Sequence, residues 1–530
     1  MKRLFSLIIL QSGILSSAGA QEVIPPPAPP PRTPEELRCD ADPRVKLGLV
    51  RHDTCVGAEL FFRNTFSGNG RTCGSCHPAG NNYTLDADYI ATLADEDPLF
   101  VAEHDPQLAE LEIPELLRQH GLILANVDGF EDPTRKFVVR SVQSLLGLSM
   151  SVAAPPPDPT GPRWAMDGTF SSIPAQRLGW SGDGAPGDGT LRDFAEGAIR
   201  QHATRSLRRE AGVDFVLPTE RQKDALAAFS RRIGRMSELR LEEVELTDAG
   251  AERGRLVFEA GAGRECAFRC HNNAGANTEF RDVTGEVYLG RANATLDIGT
   301  PLARLPEVDA LGIGLDGGFG QGPLDSDGDG VDDSFGNGGM NVPSIIEAAD
   351  TAPFFHSNAA ATVEDAIRFY TTPAFANSLV GFNAFFDVRK RLEPIALSEH
   401  EISEMGRFLR VINTALNLQM AIYRLRAAAD VTRAYGQDGF AVARGLAQLA
   451  EAELADAASV LGEAPPPELY GNEQAAITRA RRFIELGLRP EVGRERRSQK
   501  LSAARVVCEL AYRGLGTGLD LQLGDGTLMY

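Results

Sequence analysis

A mainly α-helical fold is what this 530-residue chain predicts, on three observations. Ile402, Met405, Leu409, Ile412 and Leu416 follow one another at steps of three or four, the spacing that lays apolar side chains along one face of a helix. The stretch from about Arg424 to Leu515 is rich in Ala, Leu, Glu and Arg, which are strong helix formers. No segment carries the strand-rich pattern of a sheet protein, and no short internal period marks a solenoid.

Taken in order, the chain opens with Lys2 and Arg3, an apolar run from Leu4 to Leu10, and the small residues Ala18-Gly-Ala20. That is the layout of a secretory leader, so residues 1–20 are expected to be a signal peptide. Residues 21–34 are dominated by proline and read as an extended polyproline tether. A first folded unit is expected over 35–245. It contains the Pro-rich stretch at Pro155–Pro159, a Gly/Asp-rich loop at Ser181–Gly189, and helical patterns at Leu191–Leu207 and Thr219–Met236. A second unit, 246–422, ends in a helix announced by Ser398-x-x-Glu401, the capping box in which a hydroxyl and a carboxylate satisfy two otherwise orphaned backbone donors. The remainder, 423–530, reads as a helical extension broken at Pro465-Pro-Pro467, with no chemistry of its own.

The formal net charge is −20, which argues against nucleic acid or an anionic membrane surface as partner. No later segment reaches the ~20 apolar residues of a membrane span, so a soluble, exported, periplasmic protein is expected.

Two knots of cysteine and histidine carry the chemistry: Cys73-Gly-Ser-Cys76-His77 and Cys266-Ala-Phe-Arg-Cys270-His271. The first is the C-x-x-C-H signature of c-type haem attachment, in which two thiols add across the porphyrin vinyls and the adjacent imidazole becomes the proximal iron ligand. The second has one extra residue between its thiols but keeps its histidine directly after the second, and reads as a second haem site. The competing readings are a disulfide or part of a zinc site, which would need further ligands nearby. Of the remaining cysteines, Cys39 and Cys55 suit a disulfide in an oxidising compartment or stand as two thiols, and Cys508 is expected to be buried and inert.

The second half then adds Asn341-Val-Pro-Ser-Ile and Ala352-Pro-Phe-Phe-His356-Ser-Asn-Ala-Ala-Ala-Thr362. With the two knots, these phrases resemble the bacterial di-haem cytochrome c peroxidase family, which includes the MauG-like oxidases. The resemblance covers roughly residues 57–415. It implies two cytochrome-c-like helical haem domains, an interdomain calcium ion and an inter-haem tryptophan. It further implies a peroxide-reducing haem on His77 and a relay haem on His271, whose sixth ligand lies fourteen residues after the phrase histidine. That position is Tyr370, as in the MauG-like branch, and a phenolate favours the more oxidised metal. The alternative makes Tyr370 an ordinary helix-end aromatic, with Met340 or Met420 as the ligand.

Trp180 resembles the inter-haem tryptophan, with Trp164 as competitor. Where the family places a glutamine and a glutamate in the peroxide pocket, alignment on Leu191 puts Phe194 and Thr204, neither of which can move a proton. His202 lies two residues before Thr204 and is the candidate replacement, with a sixth-ligand or a surface role as alternatives. His104 is a weaker ligand candidate. Asp325, Asp327, Asp329 and Asp332 alternate with glycines, as in a loop that wraps calcium, or else form a solvated acidic loop.

The leading expectation is an exported di-haem oxidoreductase. It takes peroxide or an oxygen-derived oxidant and is served by a small redox protein or another electron donor. The rival is a non-catalytic electron-transfer cytochrome with both irons six-coordinate.

Overall fold

A computed structural model of the chain describes residues 31–125, 138–152, 163–164, 170–171, 178–180, 190–259, 266–275, 295–296, 299, 340–378 and 395–530. Helix accounts for 58% and strand for 5% of this structure, so the mainly α expectation holds. The candidate calcium residues Asp325, Asp327, Asp329 and Asp332 lie outside the described residues.

The principal helices are α1 (Pro34–Ala41), α2 (His52–Arg63), α3 (Pro114–His120), α4 (Leu191–His202), α5 (Glu220–Ser230) and α6 (Ala249–Glu259). They are followed by α7 (Val363–Phe369), α8 (Glu399–Tyr435), α9 (Phe440–Gly462), α10 (Gly471–Leu488) and α11 (Arg494–Leu515). Local chemistry sets their starts. Capping boxes at Thr33/Glu36, Thr190/Asp193, Thr219/Gln222 and Ser398/Glu401 open α1, α4, α5 and α8, each satisfying N-terminal donors that have no partner inside the helix. A disulfide joins Cys39 on α1 to Cys55 on α2.

Two helix crossings repeat the same design. On α2, the Cβ position of Gly57 lies 1.9 Å from the Ala225 carbonyl of α5, and one turn on Phe61 meets Phe229 at 5.3 Å between ring centroids. On α6, the Cβ position of Gly254 lies 1.9 Å from the Glu404 carbonyl of α8, and one turn on Phe258 meets Phe408 at 5.5 Å. Only glycine permits so close an approach of two backbones. In each case the glycine helix precedes a cysteine knot in the sequence.

The strands are short antiparallel pairs: β1 (Leu122–Ala125) with β2 (Val138–Ser141), β3 (Arg163–Trp164) with β4 (Phe170–Ser171), β5 (Glu245–Leu246) with β8 (Gly516–Thr517), and β6 (Thr295–Leu296) with β7 (Met340–Asn341).

The boundary at 422/423 falls inside α8, a single 37-residue helix. From Ile402 to Thr432 α8 is buried on nearly every side, because α6 covers one flank and α9 and α11 cover the others. Its buried arginines are answered by carboxylates from other elements: Arg407 by Asp248, Arg410 by Glu364, Arg424 by Glu453. The last residues return to the start of the chain. β8 pairs with β5, Arg44 donates to the Leu528 carbonyl at 2.8 Å, and Arg424 to the Thr527 carbonyl at 2.9 Å. One apolar cluster consequently extends from Cys39 to Met529 and takes in the buried Cys508.

Candidate prosthetic-group sites

The first knot is one helical turn, Cys73–Cys76, after Thr72. The His77 amide donates to the Cys73 carbonyl at 3.0 Å, so the histidine closes that turn. Its Nδ1 lies 2.8 Å from the Tyr83 carbonyl. A carbonyl can only accept, so Nδ1 carries the proton and Nε2 keeps the lone pair that a metal needs. Burial lowers the imidazole pKa to about 4, against a smaller opposing effect of the Tyr83 bond, so the ring is neutral at ordinary pH.

The second knot reaches the same end with one more residue. The His271 amide donates to the Cys266 carbonyl, five residues back, at 2.9 Å. This wider π-type turn absorbs the insertion. Nδ1 of His271 lies 3.1 Å from the Pro343 carbonyl, and burial lowers this pKa to about 4 as well. None of the four knot thiols is in a disulfide. Among the described residues no group of three or more His, Cys, Asp or Glu side chains is placed to hold a metal ion.

Each knot lines its own apolar cavity. The two are nearly equal, about 240 and 220 Å³. Cys73, Cys76 and His77 stand on the first; Cys266, Cys270 and His271 on the second. A flat macrocycle held by two thiols and one neutral imidazole would fit this donor set: each site offers two thiols and an oriented imidazole nitrogen in an apolar wall.

Trp180 lines both cavities. Its indole Nε1 donates to the Ser141 carbonyl at 3.0 Å, its own carbonyl accepts from the Asn341 amide at 2.6 Å, and Asn341 Nδ2 donates to the Gly179 carbonyl at 2.6 Å. The ring packs edge-on against the buried His356 at 6.5 Å. Ser141 ties the His356 phrase in turn, its amide donating to the His356 carbonyl at 2.7 Å and its hydroxyl to that of Phe355 at 3.0 Å. Of Trp164 only the backbone, in β3, is described.

His202 is the last residue of α4 and lines the first cavity together with Phe194. Its ring makes no hydrogen bond to any described residue, and burial, then the charges of Arg71, Arg209 and His77, lower its pKa to about 3. Thr204 is buried and does not reach the cavity; its hydroxyl donates to the Ser206 carbonyl at 2.6 Å. Tyr370 and Met340 both line the second cavity, whereas Met420 is wholly buried in the α8 core and lines neither. Burial, then the neighbouring Cys270 and Cys266 thiols, push the Tyr370 phenol well above its ordinary pKa. His104 is exposed, bonded to the Asp95 carbonyl at 2.7 Å, and lines neither cavity.

Sequence reasoning missed Gln201, Gln143, Arg71 and Arg140, all on the first cavity. Gln201 was within reach, because helical spacing from Leu191 through Phe194 and Ala198 brings 201 and 202 to the same face. Arg71 is buried against Glu112 at 2.8 Å. No family model matches the chain, and no curated protein matches it.

Proposed function

We propose that this chain is an exported di-haem c-type oxidoreductase, peroxidase-like or MauG-like, that reduces peroxide at the His77 site with electrons relayed through the His271 site. The observation that carries the reading is the paired construction: two cavities of matched size, each with two thiols and a neutral histidine oriented by a backbone carbonyl, sharing Trp180 as a common wall. When bound, the two haems supply redox-active iron.

The protein's own residues supply the rest. The four thiols hold the groups, and His77 and His271 offer Nε2. Trp180 gives electrons an aromatic bridge between the cavities. Peroxide reduction needs a proton moved between its oxygens, and at the first cavity His202 and Gln201 are the polar groups beside Phe194. A calcium ion on Asp325, Asp327, Asp329 and Asp332 and a small, basic redox protein as electron donor belong to the same reading. The acidic chain favours the latter by charge.

One observation favours a second reading, electron transfer without catalysis. The His202 ring faces the first cavity and makes no hydrogen bond to any described residue, and Tyr370 and Met340 line the second, so each site has a candidate sixth ligand. Two haems per chain by pyridine haemochrome, with a high-spin EPR signal lost on one equivalent of peroxide, supports the oxidoreductase. Two low-spin irons indifferent to peroxide overturn it in favour of the electron carrier.

A further inference from the structure

We propose that Tyr530 is a redox-active tyrosine, the outer end of an aromatic path to the first cavity, with Glu59 as its proton acceptor. The inference rests on the oxidoreductase reading above.

The path is continuous. The Tyr530 ring lies 4.7 Å from that of Phe62, and Phe62 lies 5.0 Å from Phe61. Phe61 lines the first cavity and stands 6.2 Å from the His77 ring. Phe62 is also pressed against the knot itself: a Cβ on Gly74, between the two attachment cysteines, would lie 2.4 Å from the Phe62 ring. Ring-to-ring contact thus reaches from the half-buried Tyr530 to the cavity wall.

The phenol is equipped for coupled electron and proton loss. Its hydroxyl donates to Oε1 of the buried Glu59, and it accepts from Nε of Arg63. Arg38 holds the other oxygen of Glu59, which fixes the carboxylate in place as an acceptor. Tyr512 has a comparable partner, donating to Asp520 at 2.9 Å, but it lines neither cavity and makes no ring contact on this path. Tyr83 is on the path's flank, 6.4 Å from Phe62, yet the group beside its hydroxyl is Arg424, a guanidinium that cannot accept a proton. Tyr530 combines the two requirements.

The step balances as follows. Hydrogen peroxide takes two electrons and two protons and leaves as two waters; one electron is drawn from Tyr530, the other from the external donor by way of the second site, and both protons come from solvent water. The phenol O–H bond breaks, its proton passes to Glu59 to give a carboxylic acid, and a neutral phenoxyl radical remains. An external one-electron donor then restores the phenol, with the proton returned from Glu59. The segment that carries Tyr530 is anchored, since the Thr527 and Leu528 carbonyls accept from Arg424 and Arg44.

The test uses the full-length, haem-loaded protein, mixed with one equivalent of hydrogen peroxide and frozen for EPR. A narrow organic radical is expected, which sharpens when the protein carries ring-deuterated tyrosine, is lost in Tyr530→Phe, and persists in Tyr512→Phe. A radical unchanged in Tyr530→Phe, or insensitive to tyrosine deuteration and therefore on Trp180, overturns the inference and leaves the oxidoreductase reading standing. A preparation without haem, or with irons indifferent to peroxide, overturns both. Haem content and the ferric spectrum of Tyr530→Phe, expected to match the wild type, exclude simple misfolding as the cause of a lost signal.

Discussion

Gly57→Ala sets two effects of opposite sign against each other. An alanine in a helix interior is favoured over glycine by about 1 kcal/mol, so backbone propensity alone makes the substitution stabilising. The structure places the new methyl 1.9 Å from the Ala225 carbonyl and 2.6 Å from Phe229 Cβ, where ordinary contact begins at 3.4 Å. The helices must therefore part by about 1.5 Å, and neither obstacle is the far end of a flexible side chain. Overpacking of this kind costs about 1–3 kcal/mol, and parting α2 from α5 also loosens the Phe61–Phe229 pair at 5.3 Å, worth about 0.5–1.5 kcal/mol. The net expectation is about 2 kcal/mol of destabilisation. Gly254→Ala should behave alike, since its methyl would meet the Glu404 carbonyl at the same 1.9 Å. Gly445 on α9 has nothing within 4 Å, so Gly445→Ala isolates the propensity gain. Urea midpoints by far-ultraviolet circular dichroism should rank Gly445→Ala above wild type and both crossing variants below it. If Gly57→Ala and Gly254→Ala rise with Gly445→Ala, the close crossings are not as described and the repeat of design between the two units falls with them.

Two further outcomes follow from buried groups. Burial, then the neighbouring Glu453, raises Asp456 to about 7, and burial, then Asp456, pushes Asp350 well above the usual carboxylate range; Asn82, Asn413, Asn417 and Arg424 are the neutral and cationic groups around them. The folded state therefore binds protons that the unfolded chain has released above about pH 4, so this contribution is full below that pH and is lost as pH rises towards about 7. Asp456→Asn should gain stability relative to wild type between about pH 5 and 8, read as the difference in urea midpoints, and a difference that does not change with pH refutes it. Tyr370→Phe should alter the EPR spectrum of the second site alone; no change there transfers the ligand role to another residue, with Met340 next on the cavity wall.

How much of this was legible in the sequence depended on whether the determinant was local. The capping box at Ser398 and Glu401 names the first turn of α8 because the atoms involved are three residues apart. The end of that helix was not legible. The periodic stripe at 402–416 is a one-faced signal, whereas α8 is enclosed by helices distant in sequence and buries Ala427, Ala428 and Val431 as fully as Ile412, so its pattern blurs where its burial is greatest. The thiols and histidines of the two knots declared themselves by spacing. Their orienting acceptors did not, because Tyr83 and Pro343 contribute only backbone carbonyls, which any residue carries. Between Trp180 and Trp164 sequence offered no decision; contact of Trp180 with both cavities is a property of Ser141 and Asn341 arriving from separate segments. The crossings were written in plain view as Gly57-x-x-x-Phe61 and Gly254-x-x-x-Phe258, but a glycine and an aromatic one turn apart acquire meaning only when the opposing helix is known.

The same scaffold, used twice, ends in unlike rooms. The first cavity is walled by Arg71, Arg140, Gln201 and His202, the second by Glu347 and Tyr370 with no arginine or lysine among its described lining residues. Arg71 brings little net charge, being paired with Glu112, and Glu347 is likewise answered by Arg235. A further asymmetry lies in the groups that can act as ligands or carry protons. A neutral histidine with its pKa near 3 can bind a metal or accept a hydrogen bond at any ordinary pH, and it does so without adding charge. A phenol with a raised pKa keeps its proton unless a cation replaces it, and then contributes a full negative charge that favours the oxidised metal. On the di-haem reading proposed above, two sites that offer the same thiols and histidine would differ in what they do to an iron bound there, and Trp180, which lines both cavities, is the residue across which that difference would drive an electron.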